Sequence, residues 1–117
     1  MMELQLKINK VEFDRVQAIH RYYMGSDIAD VIIELPRTFK KLTTGSEGRI
    51  FLLRPEDAET RCENGLLLLG RVLSLKDEKE AILSFGGLIV KITLKEGTLP
   101  AISEGSAICL CVTGFET

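Results

Sequence analysis

Apolar and polar positions alternate with period two along most of the chain, and turn residues interrupt them often, which predicts strands rather than helices. Leu4, Leu6 and Ile8 alternate with Gln5 and Lys7, and Val11 and Phe13 continue one residue out of phase. An extra residue flips every later side chain to the other face, so this slip predicts a β-bulge within the strand. Val16, Ala18, His20 and Tyr22 then alternate with Gln17, Ile19, Arg21 and Tyr23 up to the turn signal Gly25-Ser26-Asp27. Val31-Ile32-Ile33-Glu34-Leu35 reads as a β-branched strand that Pro36 ends, because proline cannot donate to a ladder.

Residues 37–48 are polar, and Ile50–Leu53 is a further strand that stops before Pro55. Pro55-Glu56-Asp57-Ala58-Glu59 has the proline and acids of a helix start, but the run is brief and a loop is the expectation. Leu66 to Leu75 is a strand with Gly70 inside it, Lys76-Asp77-Glu78-Lys79 a charged hairpin turn, and Ala81 to Phe85 the returning strand. After Gly86-Gly87, Leu88, Val90, Ile92 and Leu94 share one face, and Ala107 to Val112 is the closing strand. About eight short strands at roughly 8–12-residue spacing predict an all-β fold. The length suits a single domain over 1–117: a small closed antiparallel Greek-key barrel, OB-fold-like, where OB denotes oligonucleotide-binding. No internal repeat, low-complexity segment or linker is visible.

Composition narrows the function classes. The net charge is −2 over 117 residues, whereas a chain living on nucleic-acid phosphate is usually basic overall. Apolar runs such as Leu66–Leu69 and Leu88–Val90 fall far short of the roughly 20 residues of a membrane helix. The opening Met-Met-Glu-Leu-Gln-Leu-Lys lacks a secretory apolar core. Three cysteines, an odd count, argue against a disulfide framework and fit a reducing cytosol.

Few residues suggest chemistry. The single histidine, His20, sits mid-strand with no nucleophile near it in sequence and reads as a partly exposed strand residue. Cys109 and Cys111 fall on one face of a strand. With only Cys62 left as a third thiol they do not make a zinc set and read as small buried apolar residues. Asp27, Asp30, Glu56, Asp57 and Glu59 read as solvated loop charge, there is no phosphate-loop motif, and neither a metal nor a cofactor is expected. Arg37, Lys40, Lys41, Arg49 and Arg54 make residues 37–54 basic, with Phe39 and Phe51 interleaved. Such a mixture can hold a single nucleic-acid strand by stacking, so these five are candidates for nucleic-acid contact. Aromatic residues are only 6% with no tryptophan, however, and a solvated loop with both phenylalanines in the core is the simpler reading.

Ser84-Phe85-Gly86-Gly87-Leu88-Ile89 is the oddest piece. Each glycine in a β-run costs roughly 1 kcal/mol against alanine. Chains keep glycine where the backbone bulges, takes positive φ, or is approached closely. A bulge at a barrel corner and a docking face for another chain both fit.

Gly65-Leu66-Leu67-Leu68-Leu69-Gly70, a charged turn, and then Ser84-Phe85-Gly86-Gly87-Leu88-Ile89-Val90-Lys91-Ile92 resemble the eighth-subunit family of multisubunit DNA-directed RNA polymerases. Val11 to Asp27 is similar to the family's first hairpin arm, Val31–Pro36 to its apolar strand ending in Glu-Leu, and Ala107–Leu110 to its final strand. The Ser-Phe-Gly-Gly-Leu segment is the specific part. The stretch between Arg54 and Gly65 is shorter than the eukaryotic insert, and leucines precede Gly70 where eukaryotic members have tyrosines. The end, Val112–Thr117, is not a basic tail, so the resemblance is to the archaeal branch of the family.

The resemblance implies a non-catalytic, cytoplasmic subunit (nuclear in a eukaryote), with no cofactor and no membrane contact, docked on the largest polymerase subunit. Nucleotidyl transfer would belong to other chains. Phe85, Gly86, Gly87 and Leu88 become the expected partner-binding residues. The competing expectation is a free OB-type single-strand binder using Arg37, Lys40, Lys41, Arg49 and Arg54.

Overall fold

The computed structural model describes all 117 residues. Its strands are β1 (Met2–Asp14), β2 (Ile19–Gly25), β3 (Ala29–Pro36), β4 (Glu47–Leu53), β5 (Leu66–Lys76), β6 (Glu80–Phe85), β7 (Leu88–Leu94) and β8 (Ala107–Thr113). Every pairing is antiparallel, and the order β1-β2-β3-β7-β6-β5-β8-β4 closes into a barrel. Closure leaves no free sheet edge, which removes the usual template for strand addition. The alternation read from the sequence is realised directly: Leu4, Leu6, Ile8, Val31, Ile33, Leu35, Val90, Ile92 and Leu94 all point into one core.

The barrel consists of two Greek keys. In the first, β4 returns beside β1, giving the order β4-β1-β2-β3; in the second, β8 returns beside β5, giving β8-β5-β6-β7. The details repeat as well. β1 bulges between Ile8 and Lys10 and β5 between Val72 and Ser74. The Ile8 N–H donates to the Ser46 carbonyl (3.0 Å) and its carbonyl accepts from the Gly45 N–H (2.8 Å). Val72 does the same with Ser106 (3.0 Å) and Gly105 (2.7 Å). Ser46 Oγ donates to the Thr43 carbonyl and Ser106 Oγ to the Ser103 carbonyl. Gly45 and Gly105 both take positive φ, +89° and +82°. The loops Thr43-Thr44-Gly45-Ser46 and Ser103-Glu104-Gly105-Ser106 are therefore one device used twice. This corrects the expectation of no internal repeat: the halves share topology and a loop-to-bulge clamp, but little side-chain identity.

Three further expectations change. Residues 15–18 form a tight turn, not strand, in which Asp14 Oδ1 accepts from the Val16 and Gln17 N–H groups and Ala18 takes φ +55°. The expected loop after Pro55 is a turn of 3₁₀ helix (Pro55–Asp57) running into a short α-helix, α1 (Ala58–Arg61). It lies on the outside of the barrel, where Leu53, Ala58, Cys109 and Cys111 form a second, small core with Phe51, Cys62 and Leu67 packed against it. Finally, Cys62 and Cys111 are joined as a disulfide across 49 residues of sequence, and only Cys109 is free. An odd cysteine count excludes a framework in which every cysteine is paired; it leaves room for one bridge and one buried thiol.

Candidate protein-docking surface

The Ser84–Leu88 segment is a two-residue hairpin between β6 and β7. Phe85 pairs with Leu88, and Gly86 and Gly87 turn the chain with φ of +65° and +94°. Two consecutive positive φ values make the I′-type turn whose twist matches the flanking strands, and glycine enters it without strain. A Cβ added at either glycine would meet nothing within 4 Å. The glycines thus sit outside the sheet interior, at an exposed tip where bare backbone faces solvent.

The four expected partner-binding residues divide. Phe85 is buried in the barrel core, Gly86 and Gly87 are exposed, and Leu88 is half-buried at the barrel end. The glycine that makes close approach possible is Gly70 in β5, whose missing Cβ would lie 2.6 Å from Phe85 Cδ1. Phe85 shapes the hairpin from inside, and the glycine tip is the part a partner can reach.

Two residues that sequence reasoning passed over hold this hairpin in place. The β3–β7 ladder ends at the pair Ile33–Val90. Glu34 extends it with its side chain, Oε1 accepting from the Ile89 N–H at 2.9 Å. Glu34 Oε2 also accepts from Arg21 Nη2 at 2.7 Å and Nε at 3.1 Å, and Asp14 stands 3.8 Å from the same guanidinium. These contacts raise the Arg21 pKa, chiefly through the Glu34 hydrogen bond. The visible signal was a lone carboxylate in the β-branched run Val31–Leu35; its partner on the neighbouring strand was not visible.

The five cations expected at a nucleic-acid site do not line one depression. Arg37, Lys40 and Lys41 are exposed on the connection from β3 to β4. Lys40 lines a groove of about 350 Å³ at the barrel mouth with Leu35, Phe39, Leu66 and Phe115. Arg49 is paired with Glu3 at 3.2 Å, stacks 5.7 Å from the Phe51 ring, and borders a different, polar depression with Gln5, Lys7 and Asp27. Arg54 lies beside Met1, Asp57 and Pro100 in another. Phe39 is 37% exposed and Phe51 lies in the outer small core, so neither is in the barrel core as the simpler reading had it.

His20 lies between the rings of Phe13 (5.2 Å) and Tyr22 (6.1 Å). No three His, Cys, Asp or Glu side chains gather as metal ligands would. No helix is long and apolar enough to cross a membrane. No protein-family model matches this chain, and no curated protein matches it significantly.

Proposed function

We propose that this chain is a non-catalytic assembly subunit of an archaeal-type DNA-directed RNA polymerase, docked on the largest subunit. The observation that carries the reading is the Ser84–Leu88 hairpin. It projects unobstructed backbone at Gly86 and Gly87 from a closed barrel, and Glu34 and Phe85 fix it from either side. A second chain can approach such a tip more closely than it could any residue with a side chain. The other segments that carry the family resemblance fall on the β1–β2 hairpin, β3, β5 and β8, so they describe a whole barrel. As a subunit, the barrel stabilises the assembly by binding its folded form; an excess of 100 times Kd contributes about 2.7 kcal/mol. It brings no cofactor, and nucleotidyl transfer belongs to the larger chains.

Gly86→Asn tests the assignment. Asparagine tolerates positive φ, and Asn-Gly is itself a favoured I′ turn, so the hairpin is kept while a side chain is added at the tip. The variant is expected to keep the wild-type melting temperature and to lose at least tenfold in affinity for the purified largest subunit. Unchanged affinity would remove the tip from the interface. Valine at either glycine is less informative, because it also strains the fold.

A further inference from the structure

Pro55–Arg61 is weakly attached to the barrel except at one point. Of its seven residues only Ala58 is buried; Pro55, Glu56, Asp57, Glu59, Thr60 and Arg61 are all exposed. Its hydrogen bonds stay local: Asp57 N–H to the Arg54 carbonyl, Thr60 Oγ1 to the Asp57 carbonyl, and Cys62 N–H to the Ala58 carbonyl. A four-residue helix has no stability of its own. Beneath it lie Phe51, Leu53, Leu67, Cys109 and Cys111, an apolar face on the outside of β4, β8 and β5. One methyl group is too little to hold a strap over that face, and what remains is the Cys62–Cys111 bond.

The bond sits in a niche built for it. The missing Cβ of Gly65 would lie 2.8 Å from Cys111 Sγ and 3.1 Å from Cys62 Sγ, so any larger residue would crowd the bridge. We propose that Cys62–Cys111 is a redox latch. Oxidised, it pins the Pro55–Arg61 strap over the outer apolar face; reduced by a dithiol, it frees the strap and uncovers that face beside the already exposed Leu69. A thiolate of the dithiol attacks Cys62 Sγ, which is half-buried, whereas Cys111 is 1% exposed. The S–S bond breaks, Cys111 leaves as a thiolate and takes up a proton, and a mixed disulfide forms on Cys62. The second thiol of the reductant resolves it, so two electrons and two protons pass to the protein and the dithiol closes into its own disulfide. The third cysteine does not short-circuit this exchange: burial, and then the charge of Glu56, push the Cys109 thiol upward and keep it protonated. The latch is independent of which partner the barrel serves.

Trypsin cleavage after Arg61, together with hydrogen exchange over residues 56–64, tests the latch in the full chain, with dithiothreitol as the dithiol. Reduction is expected to speed cleavage after Arg61 at least tenfold while amides in β1 to β8 keep their protection. Cys62→Ser is expected to reach the reduced rate without reductant, and Cys109→Ala to keep the slow, oxidised rate. Cleavage rates within twofold of each other before and after reduction would overturn the latch. So would three alkylatable thiols in air-oxidised, denatured protein, or loss of protection throughout the barrel on reduction.

Discussion

Phe85 rests against the bare backbone of Gly70, close enough that a single methyl at Gly70 would overlap its ring edge at 2.6 Å. The Ser84 backbone crowds the same point, so rotation of the ring alone cannot make room. Gly70→Ala is therefore expected to destabilise the fold by about 1–3 kcal/mol, the usual cost of overpacking. Urea denaturation of the two proteins measures it. A loss below about 0.5 kcal/mol would mean that the β5–β6 contact is looser than described.

Glu34 is expected to matter more than a surface carboxylate. Glu34→Ala leaves the Ile89 N–H and the Arg21 guanidinium without their acceptor, at a cost of about 2–3 kcal/mol. Glu34→Gln retains an acceptor for Ile89 and loses only the charge on Arg21. The Arg21 side chain is 27% exposed, so solvent screens that charge and the cost is expected to stay near or below about 1 kcal/mol. Equal losses for the two variants would show that the ion pair, rather than the ladder extension to Ile89, holds the hairpin.

Tyr22 gives the fold an alkaline limit. Its side chain is buried, its hydroxyl oxygen accepts from the Leu42 N–H, and burial raises its pKa above 10.0 despite that bond. A folded pKa above the unfolded value means that the contribution is fully present below about pH 10 and is lost as pH rises through the folded pKa, because the unfolded chain releases the proton first. Stability is thus expected to fall above pH 10. In Tyr22→Phe that fall is expected to be shallower, from a lower starting stability because the Leu42 N–H loses its acceptor. Parallel pH profiles for the two proteins would contradict the assignment.

The barrel was legible because each strand buries one face, and period-two alternation reports that directly. The β1 bulge was legible too, since Val11 and Phe13 resume the alternation one residue late. Its counterpart in β5 was not: the residue there is Leu73, 51% exposed, and an outward leucine in a leucine-rich run conceals the slip. The strap was missed because a single buried residue, Ala58, carries no periodicity. The Cys62–Cys111 bridge was missed because pairing depends on a tertiary approach between partners 49 positions apart in sequence. Repetition of the two halves escaped for a similar reason: what recurs is hydrogen bonding around Gly45-Ser46 and Gly105-Ser106, and two shared letters in a loop are no signal. At the proposed docking hairpin the glycine pair stood out, but Phe85 belongs to the core and Glu34 braces the hairpin, a division that requires knowing which strand lies beside which.

Affinity purification of the tagged full chain from its own cells, with every co-eluting chain identified and quantified by mass spectrometry, tests the central proposal most directly. The account predicts one copy of this chain for each copy of the largest RNA polymerase subunit, stable to washing. Recovery of the chain alone, eluting at the size of its own 13.0 kDa barrel, would contradict it.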